Sequence, residues 1–299
     1  MLTPTPLVSV QVLTCNSSKY LEPCLNSIIN QDYPNLEVII IDCGSTDTTS
    51  EIVGTFSSRV TNIFFFEYRN SSIGFARQKG IEHSSGEYIA FIDSDCILPS
   101  RSWLSRMLYG FNAPNVAGTW VLGKYRKEDL GIMRYSILSH PLRGHEPPIV
   151  GKENYVPIGT GHTIIRKDLI NNVGGFRDIK AAEDIELTYS LVNAGYVFRY
   201  MPGNEVVHYH VTSLRQLINK MRRNITGGIN SPVWISEHLK RNRKDIVMEL
   251  SMLYPVYFAL TMMMKDRDIA WFWHPVIILS KYIVAGEVYT RKCLGITSG

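Results

Sequence analysis

With 299 residues, 45% hydrophobic and 19% charged, the chain has the composition of an ordered globular protein, long enough for one large α/β domain with an extension or for two small domains. A formal net charge of +4 is too small to point to nucleic acid. Five cysteines (Cys15, Cys24, Cys43, Cys96, Cys293) are odd in number and lack paired metal-type spacing, so free thiols in a reducing compartment are expected.

The opening "MLTPTPLVSV" has neither the basic n-region nor the apolar h-region of a secretory signal, so the catalytic part is expected to face the cytoplasm. "LVSVQVL" (7–13) reads as a strand, and Leu21, Cys24, Leu25, Ile28 and Ile29 recur at helical spacing. "LEVIIID" (36–42) is a near-continuous apolar strand of the kind parallel sheets bury on both faces. "GSTDTTSEIV" turns into a helix, with Ser45 and Thr46 as cap candidates. "VTNIFFFEY" predicts a third strand, "GFARQKGIEHS" a third helix and "GEYIAFID" a fourth strand. Strand–helix alternation at this spacing predicts an α/β fold with a doubly wound, mostly parallel sheet and right-handed crossovers.

Beyond Pro99 a helix begins near Trp103 and Leu104, "NVAGTWVLG" is a strand, and 124–155 reads as a long irregular loop carrying His140, Arg143, Gly144, His145, Pro147 and Pro148. Loops of that length are often lids or binding loops. "YVPIGTGHTIIRKDLI" returns to strand and then helix, "FRDIKAAEDIELTYSLVNAG" predicts a helix ending at Gly195, and "YVFRYMPGNEVVHYH" gives two short strands. Residues 215–244 hold eight Lys/Arg and one acid, Glu237. Two apolar blocks follow, 250–264 and 269–280, separated by "KDRD" and containing Pro255 and Pro275, which are expected to break the helical run in each. Each block is shorter than the roughly 20 residues that span a bilayer. A buried hairpin, a dimer interface and segments lying in a membrane interface all fit; basic helices followed by Trp, Tyr and Phe-rich segments favour the last.

Ligands of doubly wound sheets bind outside the carboxyl ends of the strands. Thr14, Asn16, Asp42 and the pair Asp93/Asp95 of "FIDSDC" all fall at such ends. Two acids one residue apart repel each other unless a cation lies between them, and a divalent ion is the natural guest. The plainer alternative is a turn or a helix cap, which Asp and Ser favour. Acids at the ends of two different strands on one rim favour the metal site. Glu183–Asp184 suits the first turn of a helix, where the dipole stabilises anions. His208 and His210 share one face of a strand, a pattern more often packing than ligation. Gly159 and Gly161 in "IGTGHT" lack the third glycine of a dinucleotide loop, so a Rossmann dehydrogenase is rejected.

In order and spacing, "VSVQVLTCNSSKYLEPCLNSIINQDYPNLEVIIIDCGSTDTT", "IGFARQKGIEHSSGEYIAFIDSDC", "GTGHTIIRKDLINNVGGF" and "AAEDIELTYSLVNAG" together resemble the inverting family 2 glycosyltransferases of the GT-A fold, over about 8–210. The resemblance implies a GT-A catalytic domain at residues 1–212, with a nucleotide-binding half (1–98) and an acceptor half (99–212); beyond it, the charge and apolar blocks predict a basic and apolar helical region at 213–299, membrane-interfacial or dimerising. It further implies a donor nucleoside diphosphate sugar, UDP- or GDP-linked, and Mg²⁺ or Mn²⁺ to neutralise the leaving diphosphate. Asp95 would ligate the metal, Asp93 would contact the ribose or the metal through water, and His208 would be a further ligand or phosphate contact. Asp42 would read the base with Thr14 and Asn16 lining its pocket, Arg77 would stand near the donor, Asp184 would be the general base and Glu183 its support. The acceptor would be a lipid-linked saccharide, a glycan or a protein glycan, handled on the cytoplasmic face of an anionic membrane; the C-terminal region could also make a homo-oligomer.

Departures narrow the reading. Cys43 follows Asp42 where the family often has Asp or Asn, and Gln78 stands where the family's Ala-Arg-Asn has its Asn. Asp95 lacks the glutamine two residues on that marks dolichyl-phosphate mannose synthases, and the Gln-x-x-Arg-Trp motif of processive synthases is absent. A catalytically silent sugar-nucleotide-binding protein is disfavoured by the acids Asp95 and Asp184. A nucleotidyltransferase is disfavoured because "TCNSSKY" makes a poor triphosphate loop.

Overall fold

A computed structural model describes residues 5–140, 143–144, 146–209, 213–228, 231, 243–251 and 253–294. His145 and His210, and the stretch 232–242 of the basic region, lie outside the described residues. The chain forms two compact units, Met1–Lys124 with Gly144–Tyr209, and Tyr125–Arg143 with His210–Gly299. Tyr125–Arg143, placed by the sequence reading within 1–212, thus groups with the C-terminal helices.

The first unit opens with β1 (Val8–Thr14), α1 (Ser18–Ile29), β2 (Leu36–Asp42), α2 (Thr49–Ser57), β3 (Ile63–Glu67), α3 (Ile73–His83) and β4 (Tyr88–Asp93). It continues with β5 (Cys96–Ile97), α4 (Trp103–Leu108), β6 (Val116–Trp120) and β7 (Gly123–Lys124). After α5 (Gly131–Leu138) of the second unit come β8 (Ile149–Val150), β9 (His162–Arg166), α6 (Lys167–Asn172), α7 (Glu183–Asn193), β10 (Val197–Tyr200) and β11 (Val206–His208). One sheet has the order β3-β2-β1-β4-β9-β6-β10-β8, and a small second sheet has the order β5-β11-β7. The first four strands of the large sheet are parallel, with Thr14 opposite Asp42 and Leu13 opposite Asp93. The chain reverses direction of winding at β1, so the crevice between β1 and β4 is the switch point at which such sheets bind ligands. β9 enters antiparallel between β4 and β6 and turns the sheet mixed on that side.

β1 and β2 are buried along almost their whole length, as their unbroken apolar runs predict. Leu21, Cys24, Leu25 and Ile28 of α1 close one face of the core with Val10, Val12, Val38, Ile40 and Trp103. The Trp103 indole nitrogen, fully buried, donates to the Asn204 carbonyl at 2.8 Å.

Several boundaries differ from the periodicity. α2 begins at Thr49, and Ser45 and Thr46 do not cap it; the Asp47 carboxylate takes the Thr49 N–H and hydroxyl, while Ser45 is drawn to Asp42. The 124–155 stretch is not one loop, since it contains α5, β8 and a 3₁₀ turn at Lys152–Asn154. α7 starts only at Glu183, because 174–179 is held against α3 in an irregular path. In the second unit, α8 (Leu214–Gly228), α9 (Arg243–Leu250), α10 (Leu253–Asp266), a 3₁₀ turn (Ile269–Phe272) and α11 (Trp273–Cys293) follow. Pro255 and Pro275 do not break α10 and α11: each is the third residue of its helix, in the first turn, where a missing N–H costs no hydrogen bond. The second apolar block is accordingly part of Ile269–Cys293, a 25-residue run long and apolar enough by composition to cross a membrane.

Gly118, on β6, has no room for a side chain: a Cβ there would lie 2.6 Å from the Phe198 ring and 2.8 Å from the Ile164 carbonyl oxygen. Gly118→Ala is expected to destabilise the protein by about 1–3 kcal/mol through overpacking. Gly54→Ala, where a Cβ meets nothing within 4 Å on helix α2, is expected to stabilise by up to about 1 kcal/mol. Thermal unfolding of the pair reads both signs, and equal melting temperatures would show the β6 packing to be looser than described.

Candidate active site

Three loops at the carboxyl ends of β1, β2 and β4 make the floor of the crevice. The β1 and β2 loops interlock through Asn16, whose backbone takes φ 53°, a left-handed conformation Asn tolerates. Its side-chain oxygen accepts from the Thr46 N–H at 2.9 Å and its own N–H donates to Ser45 Oγ at 2.8 Å. Asp42, 2% exposed, accepts from Thr14 Oγ1 (2.7 Å), the N–H groups of Gly44 (2.9 Å) and Ser45 (2.7 Å), and Ser45 Oγ (2.5 Å). Those four donors fill the acceptor positions of a carboxylate. Thr14, Asn16 and Asp42 do come together as the sequence reading expects, but as a self-satisfied cluster whose first effect is to hold the loop.

Asp93 ends β4, and Asp95 follows one residue later. The Asp93 Oδ1 accepts from Arg77 Nη2 at 2.8 Å. Arg77 lies on α3, 4% exposed, with its guanidinium 5.4 Å from the Phe91 ring centroid. Its Nε and Nη1 are buried with no hydrogen-bond partner among the described residues, so this cation has donors to spare inside the site. Burial alone would raise the Asp93 pKa; Arg77, then His208 and His162, outweigh it and hold the carboxyl below its ordinary value. Ser94, between the acids, meets Ser17 of the β1 loop with hydroxyls 2.9 Å apart.

His208 reaches this site from far along the chain. β11 pairs antiparallel with β5, setting His208 opposite Cys96, and the Tyr209 N–H donates to the Asp95 carbonyl at 3.0 Å. Tyr209 is clamped by stacking on Tyr20, with ring centroids 4.4 Å apart and planes 6° from parallel. His208 Nε2 consequently lies 3.2 Å from Asp95 Oδ1 and 4.0 Å from Asp93 Oδ2. His162, which the sequence reading passed over, lies beside it with ring centroids 5.7 Å apart.

These donors fit a hard divalent cation. Two ligands at right angles, each about 2.1 Å from an octahedral ion, are separated by about 3.0 Å, close to the observed Asp95–His208 spacing of 3.2 Å. Asp95 Oδ1 and His208 Nε2 would hold the ion, with Asp93 in reach through water. Cys96 Sγ completes a geometric cluster with them, yet burial, then Asp95 and Asp93, raise its pKa well above the ordinary thiol value. A protonated thiol is a poor ligand for Mg²⁺ or Mn²⁺.

The Glu183–Asp184 pair stands on the other side of "GTG". Gly161, whose carbonyl accepts the Asp93 N–H at 3.0 Å, is so close that a Cβ would fall 2.3 Å from Asp93 Oδ2. A Cβ on Gly159 would lie 3.4 Å from Asp184 Oδ2. The two glycines are thus spacers between two sets of carboxylates. Ala182, just before the pair, takes φ 69°, a strained conformation for a residue with a Cβ. Burial, then its neighbour Asp184, raises the Glu183 pKa; burial also raises that of Asp184, against the Ile185 N–H and Arg77.

α3 is fastened to the segment leading into this pair. The Gly74 N–H donates to the Ile179 carbonyl (3.1 Å), and the Phe176 N–H donates to Gln78 Oε1 (3.0 Å). Gln78, a departure from the family's asparagine, lies against Gly175, which takes φ +74°. Arg177 Nη1 pairs with Glu186 Oε2 at 2.6 Å. One helix therefore carries Arg77 to Asp93 and positions the approach to Glu183–Asp184.

Comparison with known proteins identifies the fold and the family. A mannosyltransferase from Pyrobaculum calidifontis, solved with GDP-Man and Mn²⁺, aligns over 99% of this chain and 82% of its own, at a TM-score of 0.61 and 20% identity. Staphylococcus aureus TarS 1–349, solved with UDP-GlcNAc, aligns over 96% of this chain and 92% of its own, at 0.54 and 19%. At that identity they show the fold alone, an α/β GT-A fold. The chain belongs to glycosyl transferase family 2, whose model matches residues 9–174, and a second model, glycosyl transferase family group 2, matches 149–285. Glycosyltransferase AglE of Haloferax volcanii is 28% identical over 81% of this chain and 79% of its own length. The pre-mycofactocin glycosyltransferase of Mycobacterium tuberculosis is 31% identical over 53% of this chain and 34% of its own length. The chain is an enzyme of the glycosyltransferase class.

Gly161→Ala tests the close approach to Asp93. The added methyl must displace the carboxylate or the strand, and Mn²⁺-dependent binding of UDP or GDP is expected to weaken about tenfold or more, the equivalent of about 1.4 kcal/mol. Calorimetric titration with each nucleotide, with and without Mn²⁺, reads the change; undiminished affinity would separate Asp93 from nucleotide binding.

Proposed function

We propose that the chain is a metal-dependent, inverting and non-processive glycosyltransferase, which moves a sugar from a UDP- or GDP-linked donor to a hydroxyl of a lipid-linked saccharide, a glycan or a protein glycan beside a membrane. The observation that carries this reading is the division of the carboxylates by the Gly159–Gly161 segment, with Asp93, Asp95 and His208 on one side and Glu183–Asp184 on the other. Donor complexes of the two solved neighbours, one with GDP-Man and Mn²⁺ and one with UDP-GlcNAc, support a nucleotide sugar and a divalent ion.

Thr14, Asn16 and Asp42 frame the nucleoside pocket, and a base N–H reaching Asp42 exchanges for the Ser45 hydroxyl. Asp95 and His208 hold the cation, which when bound neutralises charge on the leaving diphosphate. Asp93, kept ionised by Arg77, orients the ribose or a metal-bound water. The spare Arg77 N–H groups face the donor. Asp184 accepts the proton of the acceptor hydroxyl as it attacks the anomeric carbon from the side opposite the diphosphate. Burial, then Asp93, keeps Asp184 basic, and Glu183, its own pKa raised by burial and by Asp184, supports the base from the adjoining position. One base and no carboxylate nucleophile give inversion, and the missing Gln-x-x-Arg-Trp motif fits transfer of single sugars.

Hydrolysis of a panel of UDP- and GDP-sugars, followed by NMR of the released anomer, tests the reading. One donor is expected to stand out, turnover is expected to stop in EDTA, and the product is expected to carry the inverted configuration; retention would overturn the mechanism. Asp95→Ala is expected to remove turnover and the metal-dependent part of nucleotide binding, and full activity in that variant would displace the metal site. Asp184→Asn is expected to keep nucleotide affinity within a few-fold while the rate falls about 10²–10⁴-fold, the usual size of a general-base contribution. A parallel loss of affinity would make Asp184 a binding residue, and no change would move the base to Glu183.

A further inference from the structure

Each of the two long C-terminal helices has a second apolar face. In α11, Ile277 packs with Leu217 of α8, Ile132 and Tyr135 of α5 and Trp271 into the core of the second unit. The opposite side presents Phe272, just before the helix, then Val276, Leu279 and Ile283, spaced four, three and four residues and exposed by 63%, 43%, 45% and 62%. In α10, Leu253, Val256, Tyr257, Leu260 and Met264 likewise line one exposed face, and Ile269 continues the apolar surface in the turn between the helices. A soluble helix buries one apolar stripe and turns polar residues outward; these two do not.

The charges around these faces indicate what covers them. Every acid of this unit whose side chain is described is in an ion pair: Glu128 and Asp129 with Arg126, Glu249 with Lys281, Asp266 with Arg143, Asp268 with Arg134, and Glu287 with Arg222 and Arg291. Arg215, Arg223, Lys265, Arg267 and Lys292 are exposed and without an acidic partner among the described residues. Lys265 and Arg267 interrupt the exposed apolar run between Met264 and Ile269, and Lys292 sits at the end of α11. A second copy of the same surface would bring like charges together, whereas an anionic bilayer meets both the apolar stripes and the basic rim.

We propose that the outward faces of α10, the Ile269–Phe272 turn and α11 form an interfacial membrane-docking surface for anionic lipid. This deepens the membrane-side part of the function proposed above and is independent of the chemistry at Asp95 and Asp184. The helices lie in the headgroup boundary and do not cross the bilayer. Crossing would strip Ile277 from its packing and carry the Glu249–Lys281 and Arg222–Glu287 pairs, 3.7 and 2.9 Å long, into hydrocarbon.

Flotation of the full chain with phosphatidylcholine vesicles, with and without 30% phosphatidylglycerol, decides the matter. Binding is expected only with the anionic lipid, and is expected to fall steeply between low and high salt and to be reversed by alkaline carbonate. The triple variant Tyr257→Glu, Met264→Glu, Phe272→Glu is expected to lower bound protein at least tenfold, with an unchanged melting temperature and unchanged Mn²⁺-dependent nucleotide binding. Tyr109→Glu, at an 82% exposed aromatic of the other unit, is expected to bind like the parent. Absence of flotation at low salt, carbonate-resistant insertion, or a lipid-independent dimer abolished by the triple variant would each overturn the proposal. Loss of lipid binding with nucleotide binding intact separates this failure from failure of the catalytic reading.

Discussion

Four carboxylates, Asp93, Asp95, Glu183 and Asp184, gather at the end of one sheet, and the buried guanidinium of Arg77 is what lets them do so. It is bonded to Asp93 at 2.8 Å and acts on Glu183 and Asp184 as well, lowering pKa values that burial raises. Without a cation there, charges so close would protonate or separate. The consequence is a division of character: Asp93 is held ionised, while the Glu183–Asp184 pair is pushed upward, toward the range in which a carboxylate takes a proton readily.

The geometry that sustains this division is made of small clearances. Gly161 permits the strand to run against Asp93, Gly159 leaves room for Asp184, and Gly74 lets α3 approach the Arg177 carbonyl, from which a Cβ would stand only 1.9 Å away. Left-handed backbone at Asn16 and Ala182 lies beside the two ends of the site. Strain of that kind persists only where surrounding contacts over-determine it; Ser45 and Thr46 hold Asn16, and the segment before Ala182 is tied to α3 through Phe176 and Ile179.

The second unit solves a different problem. Its helices pack one apolar face around Trp271 and Tyr135 and leave another outward, with acids neutralised internally and bases left at the surface. The cluster of acids at the strand ends and the amphipathic surface of the helical unit are thus built from different parts of the chain.

Much of this was legible in the residues themselves. The period-two and near-continuous apolar runs of 7–13, 36–42 and 88–93 determine β1, β2 and β4, because strands buried on both faces admit few polar side chains; the acids at their ends then determine the rim on which ligands bind. Asp42, Asp93 and Asp95 could be named on those grounds, and Glu183 and Asp184 through the resemblance of "AAEDIELTYSLVNAG" to the family's motif. The sequence misjudged the proline positions in α10 and α11, since a proline in the first turn and one in the middle look alike until the helix start is known. It also over-extended α7, because the tether of 174–179 to α3 is non-local. Only the tertiary structure decided that His208 meets Asp95, through β11 pairing with β5, that Asp42 spends its acceptors on Thr14 and its own loop, and that the glycines of "IGTGHT" are spacers between acids. Local periodicity reports which face of an element is apolar; which residues distant in sequence share a site depends on strand order and register, and those are settled by packing across the whole sheet.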